Sequence, residues 1–382
     1  MSTKHLLAFL AVLVFLTGCG GPRAVTGLGM TTVATQPLAT VPVYLATTRA
    51  RSDNLSLPYS AQRSQDLNFA EFDIGIPQNH VPGEVEKTGR TPDPARHFAA
   101  RSYRQIADRR HFVESLNAAL AQRAPENREI FIFVHGYNNN IADSLFRAAQ
   151  ITHDYEVRGV TLHYAWPSGG ALPLYVFDRD STVVGRGGLA ETIEIAARTK
   201  ANRIILVGHS MGAYVVMEAL RELAQTGRGR YLERLNGVVL AAPDIDIDAF
   251  QSQVRDIGEL PQPFAIVVSR RDRALNISRR IAGGHPRVGS GSDVALLREK
   301  NIVVLDASEL DGGAHNVFAS SPTLISIGGH GGLMRRFIES GDAAVGETLL
   351  ADGGSAIEGA AALVIYLPAR ILSGVAMASR AR

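Results

Sequence analysis

Short runs of β-branched and aliphatic residues recur through the middle of the chain, at Ile130–Val134, Val160–Trp166, Ile204–Val207, Val238–Ala242, Phe264–Val268 and Ile302–Leu305. They lack polar alternation, so they predict strands covered on both faces, as in a parallel sheet between helices. Stretches with apolar residues at helical spacing separate most of them, notably Asp143–Tyr155, Leu189–Thr199 and Ala213–Ala224. Upstream, Val41–Thr47 and Phe69–Ile76 predict two antiparallel strands, and Ser102–Ala121 predicts a helix through Ile106, Phe112, Val113, Leu116 and Leu120. The sum is an α/β architecture: about eight strands, mostly parallel, with helices on both faces, in one domain spanning residues 41–341.

The two ends follow other patterns. Lys4 and His5 precede an apolar run from Leu6 to Leu16, closed by Thr17, Gly18 and Cys19. That run is too short to span ~30 Å of hydrocarbon but fits a secretory signal, assigned to residues 1–18. Leu16-Thr17-Gly18-Cys19 resembles the lipobox of bacterial lipoproteins, which implies lipid attachment at Cys19. Cys19 is the single cysteine of the chain, so an internal disulfide is excluded. Several acyl chains on one terminus make a firm membrane anchor. Gly20 after the cysteine implies, by resemblance to Gram-negative lipoproteins, a cell-envelope protein of the outer membrane. Residues 19–40 read as a flexible tether, and 342–382 as a small-residue and apolar tail. The tail is compatible with a packed helix or a membrane-surface segment. A formal charge of +2 over 382 residues gives no footprint for nucleic acid.

The strongest chemical signal is Gly208-His209-Ser210-Met211-Gly212, between the strand Ile204–Val207 and the helix beginning near Ala213. A serine in that setting sits on a tight elbow that lifts Oγ above the sheet. A neutral serine hydroxyl needs a base, the base an orienting acid, and the developing oxyanion needs donors. The strand ending His135-Gly136-Tyr137 supplies the backbone N–H of Tyr137 as one oxyanion donor, and Met211 the other. His135 itself reads as a loop-packing residue. Asp272 follows the strand Phe264–Val268 and His315 follows Ile302–Leu305, in the chain order Ser, Asp, His. Asp244 is the rival acid, in a turn with Asp246 and Asp248 that reads as helix capping rather than metal binding; His330 and His285 are rival bases. Trp166, Tyr137 and Tyr164 are open to two readings, acyl pocket or core. Residues 169–187 read either as a lid or as a loop feeding the next helix.

These pieces carry a resemblance. Ile132–Asn139 (IFVHGYNN), Tyr164–Ser168 (YAWPS), the elbow GHSMG, Leu240–Asp246 (LAAPDID), Ser269–Leu275 (SRRDRAL) and His315–Phe318 (HNVF) resemble bacterial α/β-hydrolases of unknown function in the esterase/lipase superfamily. Leu45–Arg49 (LATTR) and Ile76–Gly83 (IPQNHVPG) resemble the same family's N-terminal strands. The resemblance implies the α/β-hydrolase fold, with Ser210 as nucleophile, Asp272 as acid and His315 as base. The expected activity is hydrolysis of small-molecule or lipid acyl esters through an acyl-enzyme, which requires no metal and no organic cofactor. The alternatives are another acyl transfer (thioesterase, peptidase or acyltransferase), or a binding module that retains the fold without the chemistry.

Overall fold

The computed structural model describes residues 27–30, 36–88, 91–328 and 363–366. The signal, Cys19, most of the tail and His330 lie outside the described residues. Ten strands, β1 (Ala39–Arg51), β2 (Tyr59–Ile76), β3 (Ala99–Ile106), β4 (Glu129–Val134), β5 (Val160–Ala165), β6 (Arg203–His209), β7 (Val238–Ala241), β8 (Phe264–Val268), β9 (Val303–Asp306) and β10 (Val364–Tyr366), form one sheet. Their spatial order is β10-β9-β8-β7-β6-β4-β5-β1-β2-β3. The central pairs from β1 through β9 are parallel, whereas β2, β3 and β10 pair antiparallel with their neighbours.

The helices are α1 (Arg109–Ala121), α2 (Ile141–Asp154), α3 (Tyr175–Ala197), α4 (Met211–Gln225), α5 (Ile247–Ile257) and α6 (Arg273–Ile281), then the short α7 (Val294–Glu299), α8 (Val317–Ser320) and α9 (Pro322–Gly328). Side-chain alternation along β4 splits the core in two. Ile130, Ile132 and Val134 pack with residues of α1, α3, α4 and α5 on one face. Phe131 and Phe133 pack with α2 and with Leu310, Val317 and Leu324 on the other. All six residues of β4 are buried, which explains why the strand carries no polar alternation. The fold is that of an α/β-hydrolase.

Four local expectations are corrected. The sheet has ten strands where about eight were expected, because β3 and β10 add antiparallel edges. Residues 102–106, expected within a helix, belong to β3: Tyr103 stacks on Phe72, Ser102 Oγ donates to Asp73 Oδ2 at 2.7 Å, and Arg104 pairs with Glu71 across the strands. Cross-strand partners decided the conformation there, and the helix starts only after Asp108, whose carboxylate caps it. Helix α3 begins at Tyr175 rather than near Leu189, so the 169–187 stretch is largely helical. A Cβ on Gly188 would lie 2.5 Å from Tyr164 Oη, so close packing of α3 on the sheet demands the bare backbone there. Finally, part of the segment expected as a tether is packed. Leu28 is fully buried, its N–H donates to Ser56 O, and its carbonyl accepts from Ala100 N. Burying a leucine side chain contributes about 1.5–3 kcal/mol.

Candidate active site

Strand β6 runs into helix α4 through a single residue, Ser210, whose backbone sits at φ 56° and ψ −122°. This is a conformation that L-residues rarely adopt and that persists only where the surroundings enforce it. Here they do. The Ser210 N–H donates to Ala241 O on β7 at 2.9 Å, and its carbonyl accepts from Ala213 N and Asp244 N. The flanking glycines remove the bulk that the turn cannot hold: a Cβ on Gly208 would meet Val216 Cγ2 at 2.8 Å, and one on Gly212 would meet Val134 O at 2.7 Å. Helix α4 begins at Met211, and the first N–H groups of a helix have no intrahelical acceptor.

The loop after β4 comes up against this turn. A Cβ on Gly136 would lie 2.9 Å from both Ser210 Cβ and His209 Nδ1, so the Gly136–Tyr137 peptide is seated beside the serine. Asn139 Nδ2 holds the loop's shape, donating to Gly136 O and Tyr137 O at 3.1 and 2.8 Å. His135 packs behind it: its ring stacks on Trp166 at 5.1 Å and its nitrogens face the carbonyls of Gly136 and Trp166. Burial holds its imidazole well below the ordinary pKa, so it is neutral. Trp166 and Tyr164 are fully buried core residues, which decides the reading left open for them. Tyr137 is partly exposed and meets Tyr175 edge-on, with ring centroids 5.5 Å apart.

Asp272 and His315 arrive from the ends of β8 and β9. His315 Nδ1 lies 2.6 Å from Asp272 Oδ2. The second carboxylate oxygen of Asp272 accepts from Leu275 N at 2.9 Å and so caps α6. One buried carboxylate therefore both starts a helix and orients an imidazole. His315 is linked to the elbow through His209, whose Nε2–H donates to His315 O at 3.1 Å and whose ring centroid lies 4.9 Å from that of His315. Burial, with the nearby His315 charge second, pushes His209 down to about 3, so it stays uncharged beside the elbow. Among the described residues, no hydrogen bond joins Ser210 Oγ to the His315 ring directly. Side chains in uncomplexed sites are commonly long-spaced and tighten only with substrate.

Asp244, the rival acid, is committed elsewhere. It accepts from Ser278 Oγ and Tyr175 Oη and lies 3.3 Å from Arg287 Nε. Asp246 caps α5 by accepting from Asp248 N and Ala249 N, as the acidic turn had suggested. His285 is exposed and His330 lies outside the described residues.

The sequence reading missed a buried polar support beneath the 136–140 loop. Asp178 on α3 accepts from Ser168 Oγ and Gly169 N, both at 2.6 Å, and from Asn138 N at 3.3 Å. Arg49, 1% exposed, donates to Asn139 O at 2.7 Å. Burial raises the Asp178 pKa despite those donors, and burial lowers Arg49 to about 10 against the opposing pull of the Asp178 charge. The signal was present in the LATTR and YAWPS stretches, which contribute Arg49 and Ser168.

A family model described as alpha/beta hydrolase of unknown function (DUF900) matches residues 109–330, more than half of the chain. The chain belongs to this family. No curated protein matches it. Among solved structures, this α/β-hydrolase is similar to esterase B from Lactobacillus rhamnosis in a tributyrin phosphonate complex, at 10% identity and a TM-score of 0.39, covering 93% of this chain and 100% of that one. A protein from Agrobacterium vitis S4 described as a hydrolase matches at 14% identity and a TM-score of 0.35, covering 80% and 99%. A peroxisomal alpha-beta-hydrolase from Saccharomyces cerevisiae matches at 10% identity and a TM-score of 0.29, covering 82% and 89%.

Proposed function

We propose that the protein is a serine hydrolase that cleaves carboxylic esters, or closely related acyl bonds, through an acyl-enzyme on Ser210. The observation that carries this reading is the conjunction of two features. A serine stands in strained backbone geometry at the carboxyl end of β6, and a carboxylate-oriented imidazole lies next to the residue that precedes it.

The roles follow from the chemistry of each group. His315 Nε2 takes the Ser210 proton as Oγ attacks the acyl carbonyl, while Asp272 holds the ring by its Nδ1–H and stabilises the imidazolium. The negative charge that develops on the carbonyl oxygen is received by the N–H groups of Met211 and Tyr137, and one such donor is worth about 3–4 kcal/mol. The tetrahedral intermediate collapses, the leaving alkoxide takes the proton back from His315, and water repeats the sequence to release the acid. This route needs no metal or organic cofactor.

The same reading extends to location: an ester hydrolase tethered in the bacterial envelope by lipid on Cys19. Metabolic labelling with palmitate should label the parent and not Cys19→Ser.

A fluorophosphonate probe, which traps activated serines, tests the catalytic reading. The folded parent should be labelled and the Ser210→Ala variant should not, and the parent should hydrolyse p-nitrophenyl esters of short acids. A folded parent that takes no label would overturn the assignment and leave the fold serving as a binding module.

A further inference from the structure

The loop that follows β2 carries the stretch IPQNHVPG, and the proposed reaction uses none of it. Its histidine, His80, packs against the C-terminal end of α2, where His153 and Asp154 lie. The His80 and Asp154 side chains are 2% and 1% exposed. One ligand atom from each of His80, His153 and Asp154 lies within 4.8 Å of the others, and His80 Nε2 is 2.8 Å from Asp154 Oδ1. The rings of His80 and His153 meet with centroids 5.5 Å apart.

The surroundings are arranged as a metal's outer ligands would be. His80 Nδ1 faces Glu86 Oε2 at 2.9 Å, and Glu86 is itself held because Oε1 accepts from Val81 N at 2.7 Å. A ligating imidazole typically gives its far N–H to a carboxylate in this way, which fixes the tautomer and leaves the other nitrogen for the ion. Asp154 Oδ2 is taken by Gly83 N and Gln150 Nε2, which leaves Oδ1 facing His80. Two imidazoles and one carboxylate are a donor set suited to zinc and similar borderline ions. Tetrahedral donors at ~2.0–2.1 Å from an ion stand about 3.4 Å apart, so an ion would part the 2.8 Å contact between His80 Nε2 and Asp154 Oδ1 and draw the His153 ring in toward both.

We propose that His80, His153 and Asp154 form a divalent-metal site of the zinc class, oriented by Glu86 and completed by water. Gln150, which braces Asp154, also donates to Ala319 O in the segment that follows His315. An ion here would therefore brace the base-bearing segment from behind, away from the reacting atoms.

The test is calorimetric titration of Zn²⁺ into the full chain, purified in detergent and stripped with a chelator, with Co²⁺ absorption as a coordination probe. The parent should bind one equivalent, show the visible bands of low-symmetry N/O coordination with Co²⁺, and melt at a higher temperature when loaded. Glu86→Gln should bind roughly 10–100-fold more weakly. His153→Gln keeps a polar side chain in the last turn of α2, so it should give the parent's circular dichroism spectrum and lose binding by at least that factor. No saturable binding by the parent, or equal affinity in His153→Gln, would overturn the proposal.

Discussion

The proposed nucleophile and the proposed base are held in place by different means. Ser210 is positioned by backbone: a positive φ, three main-chain hydrogen bonds, and a glycine on each side, Gly208 bare against Ala213 and Val216 of α4 and Gly212 bare against the 134–135 backbone. His315 is positioned by side chains: one hydrogen bond to Asp272, and one from His209 to its carbonyl. Its own side chain is a quarter exposed, whereas Asp272 is almost wholly buried. The elbow therefore cannot shift without unmaking the sheet–helix junction, while the imidazole can be released by losing a single oxygen. A third style supports the 136–140 loop, where the buried Arg49 and Asp178 hold main-chain groups from below.

That contrast can be attacked from its strongest point downward. Ser210→Ala removes the proposed nucleophilic oxygen and should lower kcat for a p-nitrophenyl ester by about a million-fold, with an unchanged circular dichroism spectrum. Asp272→Asn keeps an oxygen to cap α6 but presents an amide to the imidazole; kcat should fall about ten-thousand-fold with the melting temperature nearly preserved. Asp272→Ala should match that kinetic loss and cost about 1 kcal/mol of stability in addition, because the cap goes too. Equal melting curves for these two variants would show that the cap is worth nothing. Asp178→Asn weakens the contacts to Ser168, Gly169 and Asn138 that hold the loop, so kcat should drop about a hundred-fold, with little change in KM.

The smallest effect concerns acid stability. His163, under the sheet and fully buried, is pushed down to about 3 by burial, with Nδ1–H donating to Phe133 O. In the unfolded chain it titrates near about 6.5. Below that pH the unfolded state gains a proton that the folded state refuses, so stability present above about 6.5 is lost as the pH falls toward 3. The loss approaches about 1.4 kcal/mol per pH unit for this one group. Urea melts between pH 7 and 4 should carry this slope on top of those from the buried His135 and His209, and His163→Leu should reduce it by about 1.4 kcal/mol per pH unit. A variant curve as steep as the parent's would mean that water reaches the ring.

How much of this was legible depended on how local the cause was. The buried parallel strands were readable because a strand covered on both faces must be apolar throughout, as β4 is. The Gly-His-Ser-Met-Gly turn was readable because its steric demands fall on neighbours in sequence. Residues 102–106 were misread because the pairs that hold β3, Tyr103 with Phe72 and Arg104 with Glu71, lie far apart along the chain. The start of α3 was not legible because a glycine-bearing helix start shows no helical period, and the packing of Gly188 on Tyr164 exists only in the folded chain.

The sequence by itself determined the class of fold, the strand-to-helix serine turn and the order in which acid and histidine follow it. These rest on hydrophobic period and local sterics, which act within a few residues. Only the tertiary structure decided that Asp244 is spent on Ser278, Tyr175 and Arg287, that Asp272 meets His315, and that Arg49 and Asp178 converge beneath the 136–140 loop. Hydrogen bonds and charge pairs between distant segments have no period in the chain, so they exist only once the hydrophobic core has brought the strand ends together.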